Sequence, residues 1–187
     1  MAKVKSANDR HRRIHKAWVV LATVAAVAML LVGGLAWWAY AFTTTNVKNE
    51  LAQQQIFFPE ADSPGLNALP AADKAAVSKY AGQQLLTGAQ AKVFANNYIA
   101  VHLSEVAGGK TYAQVSGAAL ADPTNAKLQG QANTLFKGET LRGLLLGDAY
   151  AFWTVGHIAQ IVAVVMFVAA GLTLVAIAVV LKHVRLL

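Results

Sequence analysis

Residues 17–42 read AWVVLATVAAVAMLLVGGLAWWAYAF, and residues 149–181 read AYAFWTVGHIAQIVAVVMFVAAGLTLVAIAVVL. Neither segment contains Asp, Glu, Lys or Arg. Each is longer than the roughly 20 apolar residues that a helix needs to cross a bilayer. The second exceeds one upright crossing, so we expect it to enter the membrane near Gln160 and to begin as an interfacial extension. The expected fold class is all-α, with two transmembrane helices flanking an extracytoplasmic helical domain.

The formal charge of +7 is confined to the two ends of the 187-residue chain. Residues 1–16 and 182–187 carry eight Lys and Arg against one acid, whereas residues 43–148 balance eight basic residues with eight acids. By the positive-inside rule, both tails are cytoplasmic and residues 43–148 are extracytoplasmic. Aromatic belts at Trp37, Trp38 and Trp153 agree with this orientation. Topology and attraction to anionic lipids account for the basic tail, so we expect a plasma-membrane protein that binds no nucleic acid.

A cleavable signal peptide is the alternative interpretation of the first segment. The tripeptide at residues 39–41, Ala-Tyr-Ala, resembles a signal-peptidase site. The apolar stretch is nevertheless longer than the 7–15 residues of a signal core, and two tryptophans precede that site. We therefore expect a retained helix.

The region between the two apolar segments has a composition typical of helices. Residues 59–70, PEADSPGLNALP, concentrate proline and indicate an irregular loop. Gly108 and Gly109 predict a helix end, and the pair Asp122-Pro123 predicts a helix start. No alternating pattern of strand length occurs. The expected helices span residues 47–58, 72–86, 89–107, 112–120, 124–136 and 139–183.

Few side chains in this sequence could support catalysis. The absence of cysteine excludes disulfides, thiolate metal sites and cysteine nucleophiles. His102 and Glu105 lie three residues apart and could offer two metal ligands, but an iron site of two histidines and one carboxylate needs another histidine. Outside the membrane only His157 is available. His102 also continues a stripe with Phe94 and Tyr98, which favours a packing role. We therefore expect no enzyme, no cofactor and no metal.

Two polar residues interrupt the second apolar segment. His157 and Gln160 lie near its outer end, where a polar side chain can reach water or lipid headgroups, or contact a partner subunit. Haem ligation would need a second axial ligand that the first segment lacks. Interface or lipid contact is the simplest interpretation.

Small residues in both apolar segments indicate helix packing. Ala22 and Ala26 form a small-xxx-small pair, with Gly34 expected on the same face, and Ala169 and Thr173 form a second pair. Such pairs support helix association without naming the partner.

Two stretches carry a family resemblance: GAQAKVFANNYIAVHLSEVAGGKTYAQVS, residues 88–116, and TLFKGETLRGLLLGDAYAFWTVGHIAQ, residues 134–160. The chain resembles a family of actinobacterial two-span membrane proteins whose members are often labelled aromatic ring-opening dioxygenases. It also resembles, more loosely, accessory subunits of the cytochrome bcc–oxidase respiratory supercomplex. The dioxygenase label does not suit these residues because the ligand set for non-haem iron is absent.

These observations and the resemblance together predict a non-catalytic accessory or assembly subunit of a plasma-membrane complex. The resemblance implies the actinobacterial respiratory supercomplex, a role in electron transport, and cytochrome bcc or oxidase subunits as partners, beside membrane lipids. A homo-oligomer stays open. The alternative is a membrane-anchored extracytoplasmic module that binds a small molecule or lipid near Asn97, Tyr98 and His102. The candidate interface residues are Trp37, Trp38, Glu139, Arg142, Trp153, His157 and Gln160.

Overall fold

The computed structural model describes the backbone of residues 2–185 and the side chains of residues 12–183. This part of the chain is helical with no strand, and its one β-type contact is an isolated antiparallel bridge between Phe57 and Gln84. The all-α prediction is confirmed. The helices are α1 (Ala2–Gln54), α2 (Pro64–Asn67), α3 (Ala71–Ser78), α4 (Gly88–Val93), α5 (Ala100–Val106), α6 (Tyr112–Ala121), α7 (Ala126–Leu144) and α8 (Ala151–Arg185).

Two π-helical segments join consecutive helices without a break. The first π segment, Phe94–Ile99, connects α4 to α5, and the second π segment, Leu145–Tyr150, connects α7 to α8. The chain divides into two compact units: unit 1 comprises Met1–Ala41 and His157–Leu187, and unit 2 comprises Phe42–Gly156.

Unit 1 is an antiparallel pair of long helices. Buried and half-buried positions on both helices recur at alternating steps of three and four residues, the spacing of a left-handed two-helix coiled coil. Small side chains dominate this seam, and Ala26, Ala163 and Ala170 are completely buried. The seam residues are Ala22, Ala26, Met29, Gly33 and Ala36 on α1, and Ala159, Ala163, Met166, Ala170 and Thr173 on α8.

Gly33 is the glycine of α1 that meets α8, whereas Gly34 was expected on the packing face. A Cβ added to Gly33 would lie 2.8 Å from Phe167 Cε1, but one added to Gly34 would meet nothing within 4 Å. The expectation for Gly34 was wrong because two four-residue steps from Ala26 advance the helix by about 80° beyond full turns. Seven residues nearly close two turns, so Gly33 stays in the seam.

Both long helices could cross a membrane by length and composition. The candidate spans are Arg12–Gln54 and Ala126–His183, whose most apolar windows have mean hydropathies of 2.5 and 2.9. Only 11% and 6% of these windows are buried, whereas the core helix of a soluble protein is mostly buried. The two apolar helices expected from the sequence are confirmed.

Helix α1 continues to Gln54, so the separate helix expected over residues 47–58 is wrong. No glycine or proline interrupts residues 42–54. Thr43, Val47 and Leu51 are buried along one side of the helix, and this packing outweighs the weak helix propensity of the threonines. The chain leaves the helix at Gln55, which has a φ of 52°.

One helix in the middle of unit 2 is shorter than expected. The helix predicted over residues 72–86 ends at Ser78, and residues 79–86 form turns and an extended segment. Gly82, with a φ of 68°, allows this turn. The extended segment is stabilised by a hydrogen bond from Gln84 Nε2 to the Ala52 carbonyl at 2.9 Å. Tertiary pairing therefore outweighs the helical composition. In the expected loop over residues 59–70, only α2 is helical.

The next two predicted helices are confirmed. Gly88 to Val106 is helical throughout and ends before Gly108 and Gly109, whose φ angles are 60° and 80°. Helix α6 begins with a capping box in which Thr111 accepts from Gln114 N and the Gln114 side chain accepts from Thr111 N.

Two expectations for the last helices were wrong: the helix start at Asp122-Pro123 and the break between residues 136 and 139. Asn125, rather than Asp122, caps α7, because its side chain accepts from Leu128 N at 3.2 Å. Residues 126–185 then form one uninterrupted helical run that includes Gly138. The Leu103 side chain packs into the space where a Gly138 Cβ would lie. This packing outweighs the low helix propensity of glycine, so the helix continues.

Candidate functional site

Arg142 connects α7 to the first π segment. Its Nε donates to the Ala95 carbonyl at 3.1 Å, Nη2 donates to Asn96 Oδ1 at 3.4 Å, and Nη1 pairs with Glu139 Oε2 at 2.8 Å. The Ala95 carbonyl also accepts from Ala100 N, so two donors converge on one oxygen of the π segment. The sequence GETLRG, residues 138–143, therefore has a structural role: Gly138 admits Leu103, and Arg142 holds the neighbouring helix.

A second close crossing lies between α4 and the start of α8. A Cβ on Gly88 would overlap the Cβ of Trp153 and lie 2.9 Å from the Ala149 carbonyl oxygen. Trp153, half-buried, packs against the unit 2 core that includes Leu85 and Ala91. The indole is thus part of the packing of this unit.

Lys92 and Tyr150 contact each other at the surface beside this crossing. Lys92 Nζ donates to Tyr150 Oη at 3.1 Å and lies 4.7 Å from the ring centroid. The hydrogen bond from Lys92, and then its positive charge, lower the pKa of the Tyr150 phenol below its ordinary value. The contact adds a polar link between α4 and the second π segment.

A groove on unit 2 has an apolar floor and an acidic rim. It has a volume of about 200 Å³ and lies between the last turns of α1 and the α7–α8 run. Leu144 is 53% exposed at its edge, beside the buried side chains of Val47, Leu51 and Leu145. A groove of this size is smaller than the roughly 300–1,000 Å³ of typical small-molecule sites. A space of this volume with an apolar floor can hold an apolar side chain.

The two carboxylates at the groove have no polar partner among the described side chains. Glu50 and Asp148 are exposed on opposite walls, and neither forms an ion pair or hydrogen bond within that part of the chain. The ion pair between Glu139 and Arg142 forms without Asp148. Unpaired acids around an apolar floor favour a partner that carries positive charge at its edge.

His102 belongs to an aromatic ladder. Its Nδ1 lies 2.8 Å from the Tyr98 carbonyl oxygen, and its ring centroid lies 4.4 Å from that of Tyr98. The Tyr98 and Phe94 rings are tilted by 41° with their centroids 5.1 Å apart, and Phe94 meets Phe58 edge-on at 5.2 Å. These ring contacts form the packing face that the sequence indicated. Asn97, proposed as a pocket residue, donates to Asp73 Oδ1 at 2.8 Å.

Metal ligation has no geometric support in the described residues. Among them, no group of three or more His, Cys, Asp or Glu side chains could hold a metal ion.

The remaining candidate residues lie in unit 1. Tyr40 meets the His157 ring edge-on at 5.3 Å between centroids and lies 5.6 Å from Trp37. Trp37 and Trp38 are 46% and 65% exposed, so their rings can contact lipid or a partner. Gln160 is half-buried on the same helix as His157. The candidates therefore fall into two groups: Glu139, Arg142 and Trp153 in unit 2, and Trp37, Trp38, His157 and Gln160 in unit 1.

The sequence interpretation missed the groove. Glu50 precedes Leu51 on the end of α1, and Asp148 lies 98 residues later in the chain. Only the observed packing of α1 against the second π segment brings these residues to one surface. The available signal was the four-residue spacing of Thr43, Val47 and Leu51, which continues one helix face beyond the first span.

The fold and surface together define an all-helical protein with two helices able to cross a membrane. Its unit 2 carries a groove with an apolar floor and an acidic rim. No family model matches the chain, and neither curated proteins nor solved structures provide a match.

Proposed function

We propose that this protein is a non-catalytic accessory or assembly subunit of a plasma-membrane complex. The observation that carries the proposal is the exposure of the two long apolar helices. Only 11% and 6% of their most apolar stretches are buried. The narrow seam of small residues covers one face of each helix. The remaining apolar faces need lipid or another membrane protein to cover them, because exposed patches of this extent are unfavourable in water.

Charge supports an orientation for the proposed subunit. The net charge of +7 comes from the two tails, while residues 43–148 are neutral. By the positive-inside rule, the tails are cytoplasmic and unit 2 is extracytoplasmic. The aromatic residues Trp37 and Trp38 suit the extracytoplasmic interface of the plasma membrane.

The groove supports a protein partner over a small-molecule ligand. Its volume of about 200 Å³ is small, its floor is apolar, and Glu50 and Asp148 are unpaired. The alternative binding module was expected near His102, whose ring packs against Tyr98, which in turn packs against Phe94. We propose an integral membrane protein with a basic, apolar segment as the partner. On the resemblance described above, the respiratory supercomplex of actinobacteria is the first complex to test.

A mild-detergent purification of the C-terminally tagged full chain tests this proposal. Mass spectrometry and an absorbance spectrum of the eluate identify co-purifying subunits, and stoichiometric cytochrome and oxidase subunits with haem bands are expected. Leu144→Lys should reduce capture of the partner at least tenfold, because it replaces an apolar side chain at the groove edge with a positive charge that repels a basic partner. The matched control is Leu120→Lys on α6, where the side chain is 80% exposed and outside the groove. His102→Ala should also retain the partner. A chain that elutes alone, or equal loss for both leucine variants, contradicts the proposal.

A further inference from the structure

A basic cleft lies within unit 1, between residues 12–20 of α1 and residues 180–181 of α8. It has a volume of about 460 Å³, more than twice that of the unit 2 groove. One part of its lining is cationic and the other is aliphatic. The lining residues are Arg12, His15, Lys16, Val19, Val20, Val180 and Leu181.

The cleft follows from the heptad register of the helix pair. Steps of four and three residues backward from Ala26 lead through Ala22 and Val19 to His15 and Arg12. Two polar, basic residues therefore occupy positions that would otherwise face the seam. Large and charged side chains there cannot pack as the alanines do, because burying an unpaired charge in a dry interface is costly. An open cleft results where the small residues end.

No acid compensates this charge within the described part of unit 1. Residues 12–41 and 157–183 contain neither Asp nor Glu, and no ion pair of Arg12 or Lys16 is formed among the described side chains. The nearest acid in the sequence is Asp9. Two permanent cations and a histidine thus border an aliphatic surface made by Val19, Val180 and their neighbours.

We infer that this cleft binds one anionic glycerophospholipid. Arg12 and Lys16 contact the phosphodiester oxygens, with His15 as a further hydrogen-bonding group, while Val20 and Leu181 contact the upper part of an acyl chain. Basic pockets between membrane helices on the cytoplasmic side have this chemistry. Arginine supplies a planar donor array for phosphate oxygens, and lysine a flexible point charge. The inference rests on the membrane anchoring in the proposed function, but not on any protein partner.

Lipid titration of the delipidated full chain in mild detergent tests the inference. Native mass spectrometry counts bound phosphatidylglycerol, and parallel titrations use phosphatidylcholine and inorganic phosphate. We expect one phosphatidylglycerol to bind at least tenfold more tightly than phosphatidylcholine. Millimolar phosphate should not displace it, because free phosphate lacks the acyl chain that contacts the aliphatic wall. Equal affinity for the two lipids would overturn the inference, as would displacement by phosphate.

Charge position is tested by variants with equal loss of charge. Arg12→Gln with Lys16→Gln should raise the Kd for phosphatidylglycerol about 25-fold, at about fivefold for each charge. The control, Arg13→Gln with Lys182→Gln, removes two charges from described residues outside the cleft lining and should change the Kd less than twofold. Equal effects would show diffuse attraction and contradict a site.

A shape variant tests the aliphatic wall without a change of charge. Leu181→Trp should fill the cleft and weaken phosphatidylglycerol binding at least tenfold, with far-UV circular dichroism unchanged. Unaltered binding would overturn the proposed position of the acyl chain. Lipid selectivity in a chain that captures no protein contradicts only the proposed function; partner capture without lipid selectivity contradicts only the lipid site.

Discussion

Arg142 Nε donates a 3.1 Å hydrogen bond to the backbone carbonyl of Ala95, an oxygen that also accepts from Ala100 N. This contact joins residues 47 positions apart and links α7 to the first π segment. A π segment closes i→i+5 bonds and so adds a residue to the turn. The stretches of residues 88–116 and 134–160, which carry the family resemblance, thus meet through packing and hydrogen bonds.

Replacement of Arg142 should destabilise the fold more than replacement of its ion-pair partner. Arg142→Gln removes hydrogen bonds from a guanidinium that is 24% exposed, and we expect the free energy of unfolding to fall by about 1–3 kcal/mol. Glu139→Gln should change it by less than about 0.5 kcal/mol, since exposed pairs three residues apart are weak. Urea unfolding of the detergent-solubilised chain, followed by circular dichroism, measures both. Equal losses would contradict the importance of the Ala95 contact.

A methyl group at Gly88 should be poorly tolerated. Gly88→Ala places a Cβ against Trp153 and the Ala149 carbonyl, and we expect a loss of about 1–3 kcal/mol from overpacking. The control is Gly143→Ala, where a Cβ meets nothing within 4 Å and the helix gains up to about 1 kcal/mol in propensity. Thermal unfolding should therefore shift in opposite directions for the two variants. A shift in the same direction would refute the close crossing at Gly88.

The register of the unit 1 seam distinguishes two adjacent glycines. Gly33→Leu should lower the free energy of unfolding by about 1–3 kcal/mol, because Phe167 and Met166 lie against Gly33 and leave no room for a larger side chain. Gly34→Leu, directed to open space, should have little effect. The midpoint of an SDS titration, followed by tryptophan fluorescence, reports both variants. A larger effect at Gly34 would restore the four-residue packing pattern expected from Ala22 and Ala26.

The proposed topology predicts which side of the membrane is accessible. Because the natural chain has no cysteine, Ala61→Cys introduces a unique thiol on an exposed position near Ser63. It should react with a membrane-impermeant maleimide in intact cells, whereas Ser6→Cys in the basic tail should react only after lysis. The reverse pattern would invert the assignment of the tails and unit 2.

Local sequence properties determined the helices that depend on composition alone. Two long apolar segments, the helix end at Gly108 and Gly109, and the helix over residues 112–120 follow from hydropathy and backbone preference. These features require no knowledge of distant residues. The packing role of His102 also followed from its helical spacing with Phe94 and Tyr98.

Only the tertiary structure decided where helices continue, which small residues pack, and which surfaces remain open. Thr43 is helical because its side is buried, and Gly138 continues a helix because Leu103 needs its space. The alternation of three- and four-residue steps selects Gly33, since an error of one residue rotates a helix position by about 100°. The groove between Glu50 and Asp148 depends on residues far apart in the chain. Its position is set by packing between helices, which local propensity does not encode.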